Sequence, residues 1–154
     1  MSKNKGCLFF LVDMIAKASK KKEEISYPYK QKKLLSKAEL SFYHCLLQAI
    51  PEDCIVMCKC RIEDLMYVPR GTENHMKYRG YIKSRHVDFV ICDKQTMHTK
   101  LAIELDDKSH KSTSETDKRK DDIFESVKIP LKRIKAQKTY NIEEIQKKIN
   151  LNEV

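Results

Sequence analysis

The stretch "HVDFVICDKQTMHTKLAIELDD", His86 to Asp107, constrains the fold more than any other part of the chain. Two runs rich in Val, Ile, Leu and Phe are joined by the short polar "DKQTMH", which reads as two strands and the turn between them. Strands of this composition belong in a core, yet each carries carboxylates: Asp88 in the first, Glu104 and Asp106 in the second. Side chains alternate along a strand, so Glu104 and Asp106 share a face while Leu105 points the other way. A buried carboxylate without a partner is heavily penalised, so such groups need cations, protons or a metal. If the two strands pair, three carboxylates can converge on one patch. Hard oxygen donors of this kind suit a divalent ion such as Mg2+, which keeps several of its waters. A structural arrangement accounts for the same spacing: aspartates near strand ends cap turns, and Glu104 can bridge to Arg85, Arg119 or Arg133.

The rest of the chain supplies elements to cover this hairpin. In "LLSKAELSFYHCLLQAIP", Ser36 and Glu39 form a capping box, with Leu35 and Leu40 placed for a hydrophobic staple. Leu40, Tyr43, Leu47 and Ile50 then recur at helical spacing until Pro51. "CIVMCKCRIEDL" alternates like a strand, with Cys58 and Cys60 on one face. Residues 67–85 contain "PRGTENH" and "YRGYIKSR" and read as a polar excursion. After the hairpin come a helix carrying Ile123, Phe124 and Val127, a short strand in "IPLKRIKA" with Arg133 inside it, and an amphipathic helix in "NIEEIQKKI". The order is α-β-β-β-α-β-α, the signature of an α/β fold.

Residues 1–28 stand apart as an N-terminal apolar segment and lysine-rich linker, leaving 29–154 as the main domain. The apolar run "GCLFFLVDMIA" is far short of the roughly 20 residues that span a bilayer. Stable membrane insertion is not expected, and weak docking of this segment to a membrane surface or a protein is the minor alternative. None of the 6 cysteines forms a C-x-x-C pair, which argues against structural zinc and for a reducing cytoplasm. The net charge of +9 favours an anionic partner, nucleic acid foremost, without fixing any chemistry. Lysine-rich residues 17–33 and the segment 77–85 are the candidate backbone-contacting stretches.

The blocks "LLSKAELSFY", "SRHVDFVICD", "LAIELDDKSH", "KRKDDIF" and "IPLKRI" occur in an order that resembles a bacterial domain family of unknown function. That family is placed in the PD-(D/E)xK nuclease superfamily, near the very-short-patch-repair endonuclease-like proteins. The resemblance covers about residues 29–149, and "IELDDKSH" is its most specific block. It implies a restriction-endonuclease-like core, a central mixed four-stranded sheet flanked by helices. It also implies a metal-dependent nuclease cutting phosphodiester bonds, in DNA ahead of RNA. Asp88 and Glu104, with the Leu105 carbonyl, would hold Mg2+ or Mn2+. The superfamily usually has lysine two residues after the second acid; here that position is Asp106, which puts the proton-transfer role in doubt. His110 is the foremost substitute as general acid or base, with Lys108 behind it. Glu39 has two readings, helix cap or support for the metal. Arg119 contacts the scissile phosphate, neutralises the acidic patch or makes an ordinary surface ion pair, and His86, two residues before Asp88, supports the site. The alternatives are a nuclease fold that binds nucleic acid without turnover and a protein-interaction module.

Overall fold

The computed structural model describes residues 26–106 and 115–151, and the chain divides at Lys32/Lys33 into two units. In the first unit the described residues form no helix or strand, and the rings of Tyr27 and Tyr29 stack at 5.9 Å. The second unit is an α/β fold around one mixed sheet.

Its elements, in chain order, are α1 (Lys37–Ala49), β1 (Cys54–Arg61), α2 (Ile62–Leu65), α3 (His75–Ile82), β2 (His86–Asp93), β3 (Thr99–Asp106), α4 (Glu115–Ser126), β4 (Leu131–Lys135) and α5 (Ile142–Ile149). The four strands lie in the order β1-β2-β3-β4. β1 with β2 and β2 with β3 are antiparallel, and β3 with β4 is parallel, so α4 is the crossover that returns the chain to the same direction. This open mixed sheet flanked by helices is consistent with the restriction-endonuclease-like core expected above.

Each face of the sheet is covered. On one face Phe89, Ile91, Leu101, Ile103 and Ile134 pack with Phe42, Cys45, Leu46 and Ala49 of α1 and with Ile145 and Ile149 of α5. On the other, Val90, Cys92 and Ala102 meet Ile62, Met66, Ile82 and Phe124 from the short helices and α4. Interior strands buried on both faces explain why β2 and β3 read as nearly continuous apolar runs. The turn between them is held by Asp93, whose Oδ1 accepts hydrogen bonds from the Gln95 and Thr96 backbone N–H groups at 3.1 and 2.8 Å.

The first helix starts as its sequence dictates. Ser36 is the N-cap and both halves of the capping box are present. Its buried stripe differs from the expected one: Phe42, Cys45, Leu46 and Ala49 face inward, whereas Leu40 and Leu47 are about half exposed. Both stripes have helical spacing. The one chosen carries the small Cys45 and Ala49, which let the helix approach the sheet closely while Phe42 fills the gap against Phe89, 5.3 Å away between ring centres. The polar excursion of residues 67–85 also contributes to the core, through Ile82. At the far end, α5 is capped by Asn141, and Lys132 of β4 donates to the C-terminal carbonyls of Lys148 and Ile149 at 2.6 and 3.3 Å.

One expectation about β1 fails for an instructive reason. Cys58 packs on the α1 face and Cys60 on the α4 face, so the two do not share a side. Between them Lys59 has φ +55°, in the left-handed region, in the middle of a strand. A residue in that conformation turns the pleat over and shifts every later side chain to the opposite face. Pairing with β2 runs through Cys58↔Phe89 and resumes at Cys60↔Val87, so Lys59 stands opposite Asp88.

Candidate active site

The strained position and the acids coincide. Lys59 reaches from β1 to two carboxylates at once, Glu39 of α1 at 2.5 Å and Asp88 of β2 at 2.7 Å. Asp88 uses its second oxygen, Oδ2, to accept the Leu105 backbone N–H at 2.9 Å. The β2–β3 ladder ends at Phe89↔Ile103, so the Asp88 side chain takes over as acceptor where the backbone pairing stops. Non-glycine residues rarely hold a left-handed conformation in a strand, and such strain persists where surrounding contacts impose it. Here two ion pairs do so.

Glu39 takes the capping role read for it and also holds Lys59. One oxygen accepts the Ser36 backbone N–H at 2.7 Å and closes the capping box; the other holds Lys59. Burial pushes the Glu39 carboxyl up, but the hydrogen bonds from Lys59 and Ser36 outweigh it and hold the group below its usual range. Burial likewise pulls the Lys59 ammonium down, and the bonds to Asp88 and Glu39 overcome this and hold it above its usual range. Lys59 is therefore a fixed positive charge at neutral pH.

Glu104 lies on β3 and meets a second lysine, Lys120 of α4, whose ammonium also donates to the His86 carbonyl at 2.9 Å. Burial pushes the Glu104 carboxyl above its usual range; the Lys120 hydrogen bond and charge offset this in part, and the Asp88 charge adds to it. The β2–β3 register, continued one pair beyond Phe89↔Ile103, sets Asp88 across from Glu104. The two carboxylates thus make one cross-strand unit, with a lysine on either side and both side chains largely withdrawn from solvent.

The remaining expected residues fall into place around this unit or away from it. Asp106, at the exposed end of β3, turns to Arg133 at 3.7 Å. Arg133 also draws Asp121 at 3.0 Å and Asp117 at 3.9 Å, a structural role in keeping with its place inside β4. Leu105 meets the Asp88 carboxylate through its N–H. His86 is exposed and contributes its backbone carbonyl to Lys120. Arg119 pairs with Glu115 at 2.6 Å, one turn back on α4, and its guanidinium lies over the Tyr81 ring at 4.6 Å. Lys108 and His110 lie outside the described residues. Lys59 and Lys120, both in contact with the acids, were missed by sequence reasoning. The signal for Lys59 was available: a lone cation inside the apolar alternation of "IVMCKC".

The donor chemistry is oxygen only, which fits Mg2+ or Mn2+ rather than a softer metal. Among the described residues no three His, Cys, Asp or Glu side chains form a ready cage for an ion. Mg2+ does not require one, since it is commonly held by one or two carboxylates with waters and substrate phosphate completing the octahedron. Two adjacent carboxylates meet that minimum, provided the ammonium groups give way. Also among the described residues, no helix is long and apolar enough to cross a membrane.

Neither a curated protein nor a solved structure matches this chain. A family model does, across residues 31–152, which takes in α1, the whole sheet, both lysines and both acids. The chain therefore belongs to the family described as "Protein of unknown function (DUF2726)".

Proposed function

We propose that this domain is a metal-dependent nuclease that hydrolyses phosphodiester bonds, with DNA as the favoured substrate and a cytoplasmic setting. The observation that carries the reading is the Asp88–Glu104 unit, two carboxylates on adjacent strands, largely withdrawn from solvent, in a basic protein. Asp88 and Glu104 would hold Mg2+ or Mn2+, which when bound supplies Lewis acidity and lowers the pKa of a coordinated water. Lys59 stays protonated, so it offsets negative charge developing on the phosphate and does not accept the water's proton. It supplies, from β1, the positive charge that the superfamily usually places at the position of Asp106. Lys120 tempers the charge of Glu104 from the α4 side. The likeness of this chain to PD-(D/E)xK nucleases supports the same assignment.

The test is incubation of the protein with plasmid, single-stranded DNA and RNA in Mg2+ or Mn2+, beside Asp88→Asn and Glu104→Gln. Both variants should fold and lose cleavage. Cutting by the variants at the wild-type rate sinks the site assignment. One observation favours a second reading, binding without turnover: each acid already has an ammonium against it, Lys59 shared between Asp88 and Glu39 and Lys120 on Glu104, which offsets their charge without a metal. Metal-insensitive DNA binding with no cutting by the wild type would establish that reading instead.

A further inference from the structure

The excursion between β1 and β2 is the part of the fold that the acidic site leaves unexplained. It holds three of the chain's seven tyrosines, Tyr67, Tyr78 and Tyr81, and all three line one cavity of about 270 Å3. Ile123 of α4 and Val127 just past its end contribute to its apolar lining. Tyr81 is occupied within the protein, with the Arg119 guanidinium over its ring and the Tyr78 ring edge-on at 6.1 Å. Tyr67 is 81% exposed and Tyr78 47%, so both leave ring surface open to solvent. A cluster of exposed aromatic rings beside a cavity is costly to leave bare and marks a binding surface.

The segment that carries the tyrosines also carries positive charge. Arg70, Lys77 and Lys83 stand exposed on the same segment, in a chain of net charge +9. Planar rings interleaved with cations are what a single nucleic acid strand requires: stacking for its bases and positive charge for its phosphates. A duplex keeps its bases stacked on each other and offers no ring to fill the cavity. The position is right as well. Lys120, which grips Glu104, precedes Ile123 by three residues on α4, about 5 Å along the helix axis. A strand held at the cavity would therefore run beside the carboxylates.

We propose that the tyrosine cavity between α3 and α4 binds an unpaired base of single-stranded DNA near the Asp88–Glu104 unit. This rests on the nucleic-acid part of the function proposed above and adds the strandedness of the substrate. Tyr67 and Tyr78 supply the stacking faces, and Arg119 fixes Tyr81 as the wall behind them.

The experiment measures binding alone, by fluorescence anisotropy in EDTA, with a labelled single strand of about ten nucleotides, within the range of known single-strand site sizes, and the same sequence as duplex. Wild type should prefer the single strand. Tyr67→Ala and Tyr78→Ala should each weaken single-strand binding by about 5- to 150-fold, the range expected for loss of one base–aromatic stack, while Tyr67→Phe and Tyr78→Phe retain it. Duplex affinity, which rests on phosphate contacts, should change little. Alanine variants that bind the single strand like wild type, or a wild type that prefers duplex or binds neither, would overturn the proposal. Cleavage assayed in parallel with Mn2+ separates the two claims. Tyrosine-dependent binding without cutting removes the hydrolase reading and leaves the base pocket standing; cutting that ignores the tyrosines does the reverse.

Discussion

Replacing Lys59 by methionine tests the junction on which the site is built. Methionine keeps most of the apolar stem and inherits the left-handed backbone, so the comparison isolates the ammonium. In the folded protein that ammonium faces Glu39 at 2.5 Å and Asp88 at 2.7 Å, and both carboxylate side chains are only 18% exposed. A fully exposed pair would be worth about 0.2–1 kcal/mol, and stranding a fully buried charge costs about 3–5 kcal/mol. Two partly buried acids left without their cation lie between these limits, so Lys59→Met should cost about 2 kcal/mol at neutral pH. The pH dependence follows from the direction of each shift. Glu39 is held below its usual range, so its contribution is present above that range and is lost as pH falls through the depressed folded value. Lys59 is held above its usual range, so its contribution is present at neutral pH and is lost as pH rises through the raised folded value. The gap between wild type and variant should therefore be widest near neutrality and shrink at both extremes. Urea unfolding followed by circular dichroism across the pH range measures it. Equal stabilities at pH 7, or a gap that does not narrow in acid, would refute the reasoning.

Further variants probe neighbouring links. Glu39→Gln preserves the capping box but removes the charge facing Lys59, so Glu39→Ala should be less stable than Glu39→Gln by about 1 kcal/mol in urea unfolding. Glu104 is pushed above its usual range mainly by burial, so the folded state gains protons there and wild-type stability falls as pH rises through that window. Glu104→Gln should lose this slope and match or exceed wild-type stability at neutral pH while losing activity, read by thermal melts and cleavage together. Phe42→Ala, which empties the space against Phe89 and Tyr140, should cost about 3–5 kcal/mol in chemical denaturation.

Much of the fold was legible because local chemistry and global packing agree. The capping box starts α1 where Ser36 and Glu39 place it, and the apolar runs around Asp88 and Glu104 form adjacent antiparallel strands. What was not legible depends on tertiary contact. Two stripes of α1 have helical spacing, and only the sheet decides that Phe42, Cys45, Leu46 and Ala49 face inward. The alternation of β1 is broken by a left-handed Lys59, a conformation that no lysine prefers on its own and that two carboxylates impose. Lys120 could be matched to Glu104 only once the phase of α4 over β3 was known. Asp106 reads as part of the acidic cluster because it shares a strand face with Glu104, yet its place at the strand end hands it to Arg133. A period-2 pattern tells which face a residue takes, not how far along that face its partner lies.

Under the proposed function, Asp88 and Glu104 act as a single cation site that two lysines guard. Calorimetric titration of the wild type with Mn2+, repeated on Asp88→Asn and on Glu104→Gln, tests this most directly. One site per chain, abolished by either substitution alone, is the predicted result. Binding that survives both substitutions, or a wild type that takes up no ion with or without a DNA strand present, would contradict it.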